Sequence, residues 1–146
     1  SFRRSVHSEV VERSRFFDQQ LENDCWFDLH YPAMNATVHF TYHPIRKEKD
    51  YASMAGESFR MAYEHSSIAS AIREEPVFLN GLEQGMIFQL KGPVASPYQF
   101  YLTDTTRHFL RGSLYFNSHP NPDSVAPYLH YLSIDMDTLI QSIRWK

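Results

Sequence analysis

Two stretches near the start of the chain alternate apolar and polar residues, a pattern typical of half-buried strands. They cover residues 25–31 and 37–43, and the segment PAMNA between them favours a turn. The apolar positions are Phe27, Leu29, Tyr31, Val38, Phe40 and Tyr42. The alternation therefore predicts a hairpin of two strands that bury one face.

The period changes between Tyr51 and Arg73, where small and apolar residues recur every three or four positions. They are Ala55, Phe59, Ala62, Ser66, Ala69 and Ile72. Such a stripe predicts an amphipathic helix over this range, with Asp50 or Ser53 as its N-cap. Pro76 limits how far the helix can extend.

Strand patterns return after Pro76 and continue until a last helix. The predicted strands cover residues 77–79, 85–91, 98–103 and 108–117. Asn80-Gly81 is a strong hairpin signal, and residues 104–107 connect the last two strands. A final helix is predicted because apolar residues again recur at helical spacing after a cap at Asp123 or Ser124. Its stripe is Val125, Leu129, Leu132, Met136, Leu139 and Ile143.

The resulting order of elements is β-β-α-β-β-β-β-α. Short connections and two-residue alternation favour an antiparallel sheet, and each helix has one apolar stripe to bury. We therefore predict an α+β fold in which helices flank an antiparallel sheet, with residues 25–146 as a single domain. Residues 1–24 show only weak helical spacing and are predicted to form an N-terminal arm or a short helix.

Composition narrows the functional classes. The 146 residues carry a net charge of −3 and a single cysteine, Cys25. The chain lacks the basic patch that a nucleic-acid backbone requires, and one cysteine cannot form an intrachain disulfide. No apolar stretch approaches the about 20 residues of a membrane span. We expect any targeting or anchoring segment to lie outside this sequence.

Three segments of the chain closely resemble one protein family, GldD, the gliding-motility-associated lipoproteins of Bacteroidota. The resemblance covers about residues 25–143, and its longest string leaves little room for chance. The segments are CWFDLHYP at 25–32, ASPYQFYLTDTTRHFLRGSLYFN at 95–117 and PNPDSVAPYLHYLSIDMDTLI at 120–140.

The resemblance implies a function and a location. Family members carry a lipidated cysteine near the mature N-terminus, and Cys25 lies too deep in the domain to be that residue. They are required for gliding, are linked to type IX secretion and have no assigned enzymatic activity or cofactor. We expect a periplasm-facing domain that contacts other gliding or secretion proteins of the envelope and reaches the membrane only through an N-terminal lipid. The order of elements also resembles the PsbP-like sandwich, an analogy of fold alone.

The most distinctive polar residues surround the predicted hairpin turn after residue 103. Arginine side chains bind carboxylates or phosphates with two parallel hydrogen bonds, so these residues form a candidate binding surface. The plainer alternative is that they fasten the hairpin, because Asp and Thr stabilise turns locally. On the second strand, Arg111 is predicted to share a face with Phe109, Ser113 and Tyr115. The candidate residues are Asp104, Thr105, Thr106, Arg107, His108, Arg111, Asn121 and Asp123.

Metal binding and catalysis are less well supported by the residues. His30, His39 and His43 are predicted to share the outward face of the first hairpin, but zinc requires three or four convergent ligands. The motifs HExxH, CxxC, HxH and GxSxG do not occur. We therefore predict neither a metal site nor catalytic residues. Tyr101 or Tyr115 could form an outward aromatic patch for a protein partner, although core packing is the simpler role.

The resemblance to the GldD family, together with the absence of catalytic motifs, implies a non-enzymatic scaffold or assembly factor for gliding or type IX secretion. The alternative is a periplasmic module that binds a small ligand or a metal, through the histidine face or a pocket formed by Arg107 and Arg111.

Overall fold

The computed structural model describes residues 3–4, 7–12, 25–64, 66–117 and 122–145. Within them the chain forms seven strands and two helices. The strands are β1 (Glu9–Glu12), β2 (Cys25–Tyr31), β3 (Ala36–Pro44), β4 (Ala71–Leu79), β5 (Leu82–Lys91), β6 (Tyr98–Thr103) and β7 (His108–Phe116). The helices are α1 (Glu48–Tyr63) and α2 (Pro122–Gln141), and a short 3₁₀ turn covers Pro32–Met34.

The strands form one antiparallel sheet in the order β1-β2-β3-β7-β6-β5-β4. Neighbouring residues of β6 show that the helices lie on opposite faces. Phe100 belongs to the core cluster that contains the apolar side of α2, whereas Tyr101 packs with Phe59 of α1. Because successive side chains of a strand point to opposite faces, one helix covers each face. The predicted α+β fold, an antiparallel sheet flanked by helices, is confirmed.

The face beneath α2 holds the larger core. Phe40 stacks on Phe27 with ring centroids 4.7 Å apart, and it meets Phe100 edge-on at 5.9 Å. The apolar positions predicted for the first hairpin all point to this face. The helix contributes Leu132, Met136, Leu139 and Ile140, each 1% exposed or less.

The face beneath α1 holds a smaller aromatic cluster. Phe59 of the helix meets Phe88 edge-on at 4.9 Å, and Tyr101 stacks on Phe109 at 5.3 Å. Tyr101 is only 6% exposed, and burial raises its pKa to about 12. An outward position for Tyr101, considered above as part of a partner surface, is therefore wrong.

The first predicted helix is wrong at its C-terminal end. α1 ends at Tyr63, ten residues before Arg73, and β4 begins at Ala71 instead of residue 77. The Ser70 N–H donates to the Lys91 carbonyl at 2.9 Å, so strand pairing has begun where the sequence predicted helix. Long-range pairing with β5 has overridden a helical spacing that Ala69 and Ile72 satisfied by coincidence. At the other end, Asp50 lies within the first turn of the helix.

The N-terminal residues contribute an edge strand. β1 pairs with β2 from Glu9↔His30 to Glu12↔Phe27, so these residues belong to the sheet and are not helical. The sheet thus has one strand more than predicted, because four residues are too few for a clear alternation. Val6, Phe16, Phe17 and Leu21, which suggested a short helix, lie outside the described residues.

The sheet has two distinct ends. At the hairpin end lie three connections, residues 45–47, 80–81 and 104–107, together with Trp145 after α2. At the loop end lie residues 32–35 and 92–97. Asn80 and Gly81 adopt φ angles of 53° and 78°, the left-handed pair that the Asn-Gly signal predicts. Both hairpins predicted after Pro76 are confirmed, because β4 pairs with β5 and β6 pairs with β7.

Candidate functional site

The turn between β6 and β7 is organised by one carboxylate. Oδ1 of Asp104 accepts the backbone N–H groups of Thr106 at 3.1 Å, Arg107 at 2.8 Å and His108 at 2.9 Å. Burial alone would raise the pKa of Asp104, but these donors favour the charged form, and the pKa lies below its ordinary value. The Asp104 carboxylate is thus engaged in folding the turn.

Two threonines complete the turn. The Thr103 hydroxyl donates to the His108 carbonyl at 2.7 Å and accepts the Thr105 N–H at 2.9 Å. Thr105 has a φ of 67°, a left-handed conformation that is unfavourable for a β-branched residue. The hydroxyl of Thr103 therefore helps to hold a strained residue at the tip, and strain of this kind is often found at functional positions.

His108 joins the turn to two other parts of the hairpin end. Its Nδ1 lies 2.6 Å from the Tyr42 hydroxyl, and its Nε2 lies 3.9 Å from Oδ2 of Asp104. The imidazole stacks on Trp145 with centroids 5.2 Å apart and planes 6° from parallel. Trp145 in turn donates its indole N–H to Oε1 of Gln84 at 3.1 Å. His108 therefore contacts Tyr42, Asp104 and Trp145. The sequence pattern alone had not linked it to these three residues.

The side chains that the turn presents to solvent are Thr105, Thr106 and Arg107, all exposed. The backbone beneath them is held by the contacts of Asp104 and Thr103. A surface of this kind loses little conformational entropy on binding, since its backbone is already ordered. The acceptors of the turn therefore fasten the hairpin, as in the plainer alternative, and a binding role for the three exposed side chains stays a prediction.

Arg111 lies away from the tip, beneath α1 in the middle of β7. Its guanidinium donates to Met61 Sδ on the helix and to Oε1 of Gln99 at 3.3 Å. Burial lowers the pKa of Arg111. Arg107 is exposed at the tip whereas Arg111 is half-buried beneath α1, and neither lines either of the two cavities described.

The last two predicted binding residues do not join the turn. Asn121 lies outside the described residues. Asp123 is the second residue of α2, which begins at the loop end after β7, whereas Asp104 lies at the hairpin end. The Asp123 side chain is not among the described atoms. The eight predicted residues therefore do not form one site.

The histidines of the first hairpin are engaged with neighbouring strands. His39 Nδ1 lies 2.7 Å from Asp28 Oδ1, and His30 Nδ1 lies 3.0 Å from the Thr37 hydroxyl. Among the described residues, no group of three His, Cys, Asp or Glu side chains is placed to hold a metal ion. The arrangement resembles the polar outer face expected from the alternation of β2 and β3.

The outer side of α2 exposes a stripe that the sequence analysis missed. Tyr128 is 46% exposed, Tyr131 38% and Ile134 55%, and the three residues are spaced by three positions along one side of the helix. The same helical spacing that predicted the buried stripe would also have revealed this second apolar stripe. Exposed apolar stripes of this kind are typical of protein interaction surfaces.

Comparison with known families gives one result of high coverage. The family model described as "Gliding motility lipoprotein GldD" matches residues 1–145. No curated protein and no solved structure matches the chain, so the analogy with the PsbP-like sandwich stays a prediction. In the described part of the chain, neither helix is long and apolar enough to span a bilayer. The match includes the hairpin end, both helices and all seven strands, and the chain belongs to the GldD family of gliding motility lipoproteins.

Proposed function

We propose that this domain is a non-enzymatic scaffold or assembly factor for the gliding or type IX secretion machinery, facing the periplasm. Membership of a gliding motility lipoprotein family places it at the cell envelope, anchored to a membrane. The polar groups most suggestive of chemistry serve the fold instead. Asp104 closes a turn, and His108 is packed between Tyr42 and Trp145. Both observations favour a binding role over a catalytic one.

The observation that carries the scaffold role is the exposed stripe of α2, Tyr128, Tyr131 and Ile134. Tyrosines combine a large apolar ring with a hydrogen-bonding hydroxyl, and they are enriched where proteins contact each other. The opposite side of the helix is fully occupied by the core, with Leu132 and Met136 at 0% exposed. A partner can therefore bind the outer side of α2 without disturbing the fold. We assign this stripe to an envelope protein of the same machinery.

A crosslinked pull-down from the native envelope tests this assignment. Ile134→Glu places a charge in the stripe, and Ile68→Glu is its matched control, since Ile134 is 55% exposed and Ile68 54%. Loss of partner recovery for Ile134→Glu alone, with unchanged thermal unfolding, is the expected result. Equal recovery of partners by both variants would show that the stripe is not the scaffold surface.

A small-ligand function is the second candidate, because an apolar cavity lies between α2 and the β5–β6 connection. Its volume is about 230 Å³, and its walls include Leu90, Val94, Phe116 and Leu129. Ligand sites usually measure about 300–1,000 Å³, so this cavity would admit only a small apolar group. Calorimetry with short fatty acids tests this candidate. The absence of heat and of any thermal stabilisation would exclude these ligands for the cavity.

A further inference from the structure

The hairpin end carries two large apolar side chains in solvent. Phe78 is 54% exposed and Leu82 is 65% exposed, the highest value among the large apolar residues that the structure describes. They flank the Asn80-Gly81 turn, whose left-handed backbone holds the tip in a defined shape. Phe78 and Leu82 are therefore exposed to solvent at one end of the domain.

The same end of the sheet also carries positive charge. The connections at the same end carry the exposed cations Arg46, Lys47, Arg107 and Arg144. Trp145, next to Arg144, joins this group to the two hairpins through Gln84 and His108. This local group of cations contrasts with the whole chain, whose net charge is −3.

Acidic residues lie at this end as well. Glu83 is exposed beside Leu82. Asp104 accepts three backbone N–H groups, and Asp50 accepts those of Arg46 at 3.2 Å and Lys47 at 3.0 Å. The hairpin end therefore combines two exposed apolar side chains with four exposed cations, and three carboxylates lie at the same end.

Arg3 also lies at this end. The Arg3 N–H donates to the Ser142 hydroxyl at 2.6 Å, just after the end of α2 and two residues before Arg144. The backbone of Arg3 thus lies close to the hairpin end. The exposed Arg3 side chain adds a fifth cation to the same region.

We propose that the hairpin end is a membrane-contact surface, in which Phe78 and Leu82 enter the interface of an anionic bilayer while Arg107 and its neighbouring cations contact lipid phosphates. Arginine binds phosphate oxygens through two parallel hydrogen bonds. A single lipid chain gives only marginal attachment, and a second basic or apolar contact makes anchoring stable. This contact comes in addition to the lipid, which was expected from the resemblance to be the sole attachment. It is independent of the partner surface on α2.

Vesicle flotation with the chain of residues 1–146, free of attached lipid, tests the proposal. The vesicles are phosphatidylcholine alone, or phosphatidylcholine with about a third phosphatidylglycerol to give a negative surface. We expect binding to the anionic vesicles that weakens as salt is raised, since salt screens the attraction. Phe78→Ser with Leu82→Ser should weaken partitioning about tenfold or more, and Arg107→Gln about fivefold.

Matched controls lie at the opposite end of the sheet. Ile68→Ser removes an apolar side chain with the same 54% exposure as Phe78, and Lys91→Gln removes an exposed cation. Both controls should bind vesicles as the unchanged chain does, and all variants should unfold at similar temperatures. Absence of binding to either vesicle, or equal losses for the Phe78/Leu82 variant and the Ile68 control, would overturn the proposal.

Discussion

The two faces of the sheet bury their polar groups in opposite ways. Beneath α2, the buried hydroxyls of Tyr31 and Tyr98 donate to charged partners on the helix, Asp135 and Asp137, the latter at 2.7 Å. Beneath α1, the half-buried Arg111 meets only neutral acceptors among the hydrogen bonds described. A buried neutral donor paired with a carboxylate is well satisfied, whereas the Arg111 guanidinium forms no described hydrogen bond to a carboxylate and interacts with Glu57 and Glu64 only through space.

The electrostatic consequences follow the same division. Burial and then the aspartate partners raise the pKa values of Tyr31 and Tyr98, so both tyrosines stay neutral. Burial lowers the pKa of Arg111, which means that its charged form is disfavoured in place. The comparison indicates that the α2 face is optimised for stability, and that the α1 face retains a group whose removal should cost little.

The largest loss of stability should come from adding a side chain to the packed core beneath α2. A Cβ at Gly112 would lie 2.3 Å from Cε1 of Phe100, so Gly112→Val should lower the free energy of unfolding by about 3 kcal/mol. The expected fall in Tm is about 10 °C by calorimetry. Gly56→Ala on exposed α1 is the control, because no atom lies within 4 Å of the added group, and it should stabilise by about 0.5–1 kcal/mol. A tolerated valine would mean that this face is less tightly packed than described.

The second effect concerns the tyrosine links to α2. Tyr98→Phe removes a hydroxyl that donates to a carboxylate, and we expect a loss of about 1.5 kcal/mol in urea unfolding. Tyr63→Phe is the matched control, since Tyr63 donates to Glu74 at 2.6 Å but is 42% exposed. Its loss should stay below about 0.5 kcal/mol because water replaces the partner. Equal losses for the two variants would contradict the role assigned to burial.

The third effect tests the turn at the hairpin end. Asp104→Ala leaves three backbone N–H groups without their acceptor, and it should destabilise by about 1 kcal/mol at neutral pH. The folded pKa of Asp104 lies below its ordinary value of 3.8, so its charge stabilises the fold above that value. This contribution is lost as pH falls through the folded pKa. The unchanged chain should therefore lose more stability than Asp104→Ala between neutral pH and acid, as measured by Tm against pH, and parallel curves would contradict this.

The smallest effect should appear on the α1 face. Arg111→Met keeps an unbranched apolar side chain and removes the desolvated charge, so the free energy of unfolding should change by less than about 0.5 kcal/mol in either direction. Arg111→Glu serves as the contrasting variant and should destabilise, because it buries an acid beneath α1. A loss above about 2 kcal/mol for Arg111→Met would break the comparison between the faces and show that Arg111 supports the fold.

The local sequence pattern was sufficient to locate a strand or helix wherever one face of that element is buried. The alternation of Phe27, Leu29 and Val38 located β2 and β3, and Asn80-Gly81 located the turn between β4 and β5. It failed where local preference competes with long-range pairing. Residues after Tyr63 continue the helical spacing, yet hydrogen bonding with β5 starts at Ser70.

The candidate site shows the same limit. Sequence reasoning singled out residues 104–108 as the tip of a hairpin, and the turn chemistry of Asp104 agrees with its plainer interpretation. It also grouped Arg107 with Arg111 and Asp123, which the fold places at the tip, beneath α1 and at the start of α2 respectively. Distances between such residues depend on which strands pair, and periodicity carries no information about pairing partners.

The amino-acid sequence alone was enough to specify the family, the α+β class and the faces of the first hairpin, since each rests on contiguous residues. The fold added the strand order, the junction of His108 with Tyr42 and Trp145, and the placement of exposed cations at the same end of the sheet as Phe78 and Leu82. Those features join residues that are far apart in the chain, and only the pairing of strands and the packing of α2 bring them together.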